Sequence, residues 1–305
     1  MKKSIILLIF LFSALGIFTV HAQQMNSYNM FHMDRYLQNP AAAGTKPYTF
    51  ISCNYAKYWS GFNGSPSIQN VNVHSLVSER VAFGGKLYNE NTGLSGKFGL
   101  EATYAYHIPI TSGGSKFSFG LSARISQYKI FKDKFVLHDT DDEVIVYSQN
   151  SMISPDASAG ISIYKENLFY IDIASHQLIS PGIDYMNQEY LENKQVRHYY
   201  IGGGYNLNIN EDLRIEPSVL LKLVETGNYQ INGGVKVEFK KMISAGCYYV
   251  TNSAIVPFVG INLRNIALGY TYGIVTSEIA AHQLGNHEVM VIIKLNNAQS
   301  NLERD

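Results

Sequence analysis

Apolar and polar residues alternate with a period of two along most of the chain. In 97–108, Phe98, Leu100, Ala102, Tyr104, Tyr106 and Ile108 share one parity, and Lys97, Gly99, Glu101, Thr103, Ala105 and His107 share the other. The pattern returns in Phe117, Phe119, Leu121, Ala123 and Ile125 against Ser118, Gly120, Ser122, Arg124 and Ser126. Successive side chains of a strand point to opposite faces, so each segment has one greasy face and one polar face. Such segments recur at about 47–59, 66–78, 80–89, 95–109, 115–129, 153–165, 167–176, 197–208, 211–225, 228–239, 241–252, 254–263, 264–276 and 285–296. The expected fold is all-β: a transmembrane antiparallel β-barrel of about fourteen strands. In hydrocarbon no water satisfies bare N–H and C=O groups, so a sheet there must close on itself.

Connections fall into two kinds. Gly113-Gly114, Lys165-Glu166-Asn167, Asn210-Glu211-Asp212, Gly227-Asn228 and Lys240-Lys241 read as tight turns, while 129–152, 176–197 and 278–284 read as long loops. Short turns at one end and long loops at the other are the outer-membrane arrangement. The polar parity then faces the lumen. Glycines on it (Gly202, Gly204, Gly234, Gly246, Gly260, Gly269, Gly273) would thin the inner wall and leave room for a plug or a bound segment; barrel curvature and close packing at glycine are the plainer alternative.

The N-terminus departs from the alternation. Lys2 and Lys3, the apolar run 5–20 and Val20-His21-Ala22 read as a signal peptide, residues 1–22, cleaved before Gln23. Residues 23–46 carry Met25, Tyr28, Met30, Phe31, Met33 and Tyr36 without period-two order. A short helix is expected there, broken at Asn39-Pro40 and Gly44. The segment is expected to be a plug or a periplasmic piece outside the barrel wall. The barrel then occupies 47–296, and 297–305 form a polar tail.

Composition narrows the function classes. Charged residues are 16%, well under the usual ~25%, and the formal net charge is zero, which argues against nucleic acid as a partner. The apolar parities and the many tyrosines suit outer-membrane lipid as the surrounding medium. Cys53 and Cys247 lie on apolar parities of distant strands, so two free thiols are expected.

Candidate chemistry is sparse. Asp139, Asp141, Asp142 and Glu143 crowd one loop, where hard oxygen ligands suit Ca²⁺ and a solvated acidic tip is the plainer alternative. His287-Glu288 begins like a zinc-protease motif, but position 291 is Val and the segment reads as a strand. Gly202-Gly203-Gly204 lacks the spacing and following helix of a dinucleotide loop. No cofactor site and no nucleophile–base pair can be picked out, so no enzyme is expected.

Several short motifs, in order, resemble the PorP/SprF family of type IX secretion and gliding proteins. They are Gln38-Asn39-Pro40-Ala41-Ala42-Ala43-Gly44, Asn89-Glu90-Asn91-Thr92-Gly93, Pro155-Asp156-Ala157-Ser158-Ala159-Gly160 and Ser175-His176-Gln177-Leu178. Pro217-Ser218-Val219-Leu220-Leu221-Lys222, Gly269-Tyr270-Thr271-Tyr272 and Asn286-His287-Glu288-Val289-Met290 follow. Gly273 departs from the family pattern, which has an acidic residue there. The resemblance implies a non-enzymatic barrel in the outer membrane of a Bacteroidetes-type Gram-negative bacterium. Its implied partners are type IX secretion and gliding machinery proteins and a secreted surface adhesin. Asn39, Pro40, Lys240 and Lys241 are the expected partner-binding residues. A diffusion porin or small-solute transporter is the alternative.

Overall fold

The computed structural model describes residues 28–132, 151–182, 195–276, 280 and 283–296. Fourteen antiparallel strands form a closed barrel. They are β1 Tyr48–Lys57, β2 Ser67–Leu76, β3 Val81–Thr92, β4 Ser95–Pro109, β5 Ser115–Ile130, β6 Ser151–Lys165 and β7 Phe169–His176. Then come β8 His198–Tyr205 with its short continuation Leu207–Asn208, β9 Leu213–Val224, β10 Tyr229–Phe239, β11 Ile243–Val250, β12 Ala254–Asn262, β13 Ile266–Val275 and β14 Asn286–Asn296. β14 closes on β1 in register from Tyr48↔Asn296 to Lys57↔His287. Every backbone edge is thereby paired, as hydrocarbon requires.

The parities hold. In β4, Phe98, Leu100 and Tyr104 are exposed on the outer face while Gly99, Glu101, Thr103, Ala105 and His107 are buried inside. In β5 the outer Leu121 and Ile125 alternate with inner Ser122, Arg124 and Ser126. Cys53 and Cys247 are free and face outward.

Connections 77–80, 110–114, 166–168, 209–212, 240–242 and 263–265 lie at one end, together with the start of β1 and the end of β14. Connections 58–66, 93–94, 131–150, 177–197, 225–228, 251–253 and 276–285 lie at the other. All the turns at the first end are short. The second end mixes long and tight connections, and Gly227-Asn228 belongs there, because an antiparallel barrel puts alternate connections at opposite ends.

Residues 28–46 lie inside the barrel. They form two single 3-10 turns, Arg35–Leu37 and Pro40–Ala42, in place of one helix. Each is started by a side chain. The Asp34 carboxylate accepts from the Tyr36 N–H, and the Asn39 amide oxygen accepts from the Ala41 N–H. Pro40 opens the second turn where it was expected to end a helix, since proline at a first helical position forfeits no hydrogen bond.

The inner wall is apolar where this segment rests on it. Tyr28, Met30 and Leu37 pack with Phe50, Ile68, Met290 and Ile292. Phe31 packs with Leu220, Tyr248, Val250 and Val256. Tyr36, Ala42 and Ala43 pack with Ala82 and Ala105. The barrel therefore encloses a core of the kind soluble domains have, made between strand side chains and 28–46.

Candidate functional site

The polar lumen wall and the inner segment meet through directed bonds. Strand periodicity sends every second side chain inward, so inward polar groups from many strands converge on one short chain. Asp34 is a junction. Its carboxylate accepts from Ser52 Oγ at 2.7 Å and from Asn72 Nδ2 at 3.1 Å, besides the Tyr36 N–H. The Tyr36 hydroxyl meets Thr103 Oγ1 at 2.6 Å, and burial raises its pKa well above the ordinary tyrosine value, keeping it neutral.

Three histidines hold backbone groups of the segment. His74 Nδ1 accepts from the Gly44 N–H at 3.1 Å. His107 Nε2 contacts the Ala43 carbonyl at 2.9 Å, and its Nδ1 lies 2.9 Å from the Tyr164 hydroxyl. A carbonyl only accepts, so Nε2 carries the proton and Tyr164 donates to Nδ1. The same logic fixes His176. Its Nε2 donates to the Gln38 carbonyl at 2.7 Å while Nδ1 accepts from Arg124 and Ser158, each at 3.1 Å. Ser118 Oγ donates to the Ala41 carbonyl at 2.7 Å.

A buried ion cluster backs these contacts. Arg124 lies 2.8 Å and Lys86 3.4 Å from the Glu101 carboxylate, and Lys86 Nζ also donates to the Leu37 carbonyl at 3.3 Å. One carboxylate thus serves two cations, one of which reaches the inner segment. On β14, Glu288 accepts from the Asn29 N–H at 2.8 Å and from Asn54 Nδ2 at 2.6 Å.

Close approach is made by glycines. A Cβ at Gly120 would strike the Ala41 nitrogen and the Pro40 carbonyl carbon, and one at Gly160 would strike Asn39 Oδ1. A Cβ at Gly84 would lie 2.7 Å from the Tyr36 hydroxyl, and one at Gly269 would strike Met33 Sδ. Of the glycines expected to make room for a segment, Gly269 does so. Gly204 and Gly234 instead lie under the rings of Tyr170 and Tyr248, Gly260 lies beside Phe258, and Gly273 faces Asn286. Gly202 meets Leu220, and Gly246 meets the Val235 carbonyl of the neighbouring strand.

The expected partner-binding residues separate. Asn39 and Pro40 are buried within the lumen, where Asn39 Nδ2 donates to the Ile161 carbonyl at 3.0 Å. Lys240 and Lys241 are exposed in the turn between β10 and β11, at the short-turn end, with φ of 51° and 56°. Asp139, Asp141, Asp142 and Glu143 lie outside the described residues, as do 1–22 and 297–305. His287 faces outward and bonds the Tyr270 hydroxyl at 2.8 Å, while Glu288 faces inward, so the two cannot share a metal. The histidine clamps were missed from sequence. Their signal was the placement of His74, His107 and His176 on the polar parities of clean strands.

Beneath the inner segment, at the short-turn end, opens a cavity of about 390 Å³. Its roof includes Arg35 and its walls carry Lys46, Arg214, Glu216, Lys236 and Glu238. Arg35 lies 3.6 Å from Asp172, with its guanidinium 4.4 Å from the Tyr170 ring centroid.

A family model described as type IX secretion system membrane protein PorP/SprF matches residues 20–293. No curated protein matches the chain. Among solved structures, the toluene transporter TbuX of Ralstonia pickettii is similar at 11% identity, over 88% of this chain and 92% of that one, with a TM-score of 0.50. A FadL homologue of Pseudomonas aeruginosa is similar at 10% identity, over 85% of this chain and 92% of that one, with a TM-score of 0.48. At 11% identity the likeness to TbuX is one of fold alone.

Proposed function

Because the chain belongs to the PorP/SprF family of type IX secretion system membrane proteins, we propose that it is a plugged, non-enzymatic barrel that docks secretion components. On this reading the lumen is no conduit. Residues 28–46 are the plug, and the partners are machinery proteins on the short-turn side and a secreted surface adhesin. The observation that carries this reading is the density of bonds across the lumen. Ser52, Asn72, His74, Lys86, Thr103, His107, Ser118, His176 and Glu288 each bond the inner segment. A diffusion porin needs an open aqueous path, and a chain fixed on so many sides opposes one. Lys240 and Lys241 support the docking side. Two successive residues with left-handed backbone cost of order 1–3 kcal/mol each where Asn-Gly would sit with little strain. That expense suits side chains retained for contact.

The test is a deletion strain complemented with the whole protein or with a form lacking 28–46. Surface adhesin and gliding are scored beside planar-bilayer conductance of the purified barrels. The reading expects loss of export in the deletion strain and negligible conductance of the whole protein. Normal export with loss of small-solute uptake selects the porin instead.

A further inference from the structure

The cavity beneath the inner segment carries an imbalance of charge that the barrel itself does not neutralise. Two ion pairs cross its wall and cancel: Lys236–Glu216 at 2.6 Å and Arg214–Glu238 at 3.6 Å. Of the two other lining carboxylates, Asp34 is committed to Ser52, Asn72 and the Tyr36 N–H, and Glu166 sits exposed in its turn. Against these stand Arg35, Lys46, Lys165, Lys241 and Lys294. Lys294 bonds the neutral Asn262 amide oxygen. Among the described residues, Lys46, Lys165 and Lys241 have no carboxylate within ion-pair distance, and Arg35 Nη2 is buried with no hydrogen-bond partner. Burial draws the pKa of Lys46 below its ordinary value, and the Arg35 charge draws it further. Asp172 already offsets part of the Arg35 charge at 3.6 Å, so an anion arriving there would pair with Lys46 and with the open Arg35 Nη2.

The shape narrows the ligand class. The cavity has the size of a ligand pocket, and between its cations lie inward apolar and aromatic groups such as Tyr48, Phe50, Phe258 and Ile292. It is roofed by 28–46, so an entering solute meets a blind end. Membrane lipids surround the outer face of the barrel and not its lumen. We propose that this vestibule is a binding site for an acidic polypeptide segment offered from the short-turn side. The proposal rests on the docking reading and adds its chemistry: carboxylates pair with Arg35, Lys46 and Lys241, and intervening apolar side chains rest on the wall. Arg35 belongs to the inner segment, so the bound peptide touches the plug itself.

The test uses the whole purified protein in neutral detergent and a fluorescein-labelled peptide of alternating glutamate and leucine. Saturable binding is expected, weakening about tenfold in the double variant Lys46→Gln, Lys241→Gln, the scale of roughly one lost charge pair. Lys129→Gln, exposed at the other end, serves as the control and leaves affinity unchanged. Should the double variant lose its heat-modifiable gel shift, Lys165→Gln, at the partly exposed end of β6, replaces it. Equal binding of a lysine–leucine peptide, affinity unchanged in the vestibule variants, or full displacement by millimolar inorganic phosphate overturns the proposal. The export assay reports separately. Variants that lose the peptide but export normally reject the docking reading and keep the site, and a strain defective in export whose protein never binds the peptide does the reverse.

Discussion

Asn29 and Glu288 are 259 positions apart in sequence, and the backbone N–H of one donates to the carboxylate of the other over 2.8 Å. Glu288 lies on the strand that closes the barrel, and Asn29 opens the segment that fills it. Closure of the wall and seating of the inner chain are thereby joined at one carboxylate. Asn54, on the strand paired with that of Glu288, holds the second oxygen.

Glu288→Ala leaves the Asn29 N–H and the Asn54 amide without their acceptor inside the barrel. A loss of about 1–3 kcal/mol in seating of the segment is expected. Limited proteolysis within 28–46 reads it, faster in Glu288→Ala than in Glu288→Gln, which keeps one acceptor oxygen. Equal, wild-type cleavage in both variants would refute the link.

Gly120→Ala and Gly160→Ala should unseat the segment while sparing the wall. The added methyl at 120 meets backbone of Pro40 and Ala41, which cannot swing aside as a side chain tip can. Gly113→Ala, whose methyl would have ordinary contact with Thr111 Oγ1 at 3.6 Å, is the neutral comparison. Planar-bilayer conductance should rise in the first two variants and stay at the wild-type level in the third.

Removing Glu101 strands Lys86 and Arg124 together in the lumen. Glu101→Ala is expected to destabilise by about 3–5 kcal/mol, the usual consequence of deleting one partner of a buried ion cluster. Adding Lys86→Met removes one of the stranded cations and should recover part of the loss. Urea unfolding of the refolded barrel measures both, and a double variant no better than the single would contradict the account.

His32 gives the seating a pH dependence. Its ring stacks on Tyr248 at 4.6 Å and meets Phe258 edge-on at 4.5 Å, and neither ring nitrogen has a hydrogen-bond partner among the described residues. Burial lowers its pKa well below the ordinary value, and the Lys236 charge adds to this. A group depressed in the folded state stabilises fully above its unfolded pKa and loses that contribution as pH falls below it. His32 therefore withdraws up to ~1.4 kcal/mol per pH unit below about 6.5. Protease exposure of 28–46 should increase with acid in the wild type, and less so in His32→Phe.

Lys240→Asn with Lys241→Gly should relieve the left-handed turn, raising stability by about 1 kcal/mol. The same change removes Lys241 from the vestibule, so acidic-peptide binding should weaken as stability rises. A variant that gains stability and binds as before would show that the two lysines are idle.

Much of the architecture was legible along the chain, for a physical reason. A strand in lipid must show one apolar face, so Leu121, Ile125 and Val235 on one parity and Ser122, Arg124 and Lys236 on the other declare the wall and its orientation without any tertiary information. Strand count follows from repetition, and closure from the need to pair every backbone edge. The contents of the lumen obey no such local rule. Residues 28–46 have no period because their neighbours come from many strands at once. Asn39 and Pro40 stand out in sequence as a break, yet only the folded barrel turns them inward against Ile161 and Gly120. His74, His107 and His176 are scattered along the chain and become one set of clamps because three separate strands bring them to the same short segment. The vestibule is likewise a property of assembly. Lys46 and Lys241 are ordinary lysines singly, and their shared want of a counter-charge, beside an Arg35 held by Asp172 alone, exists only where the short-turn end gathers them beneath the inner chain.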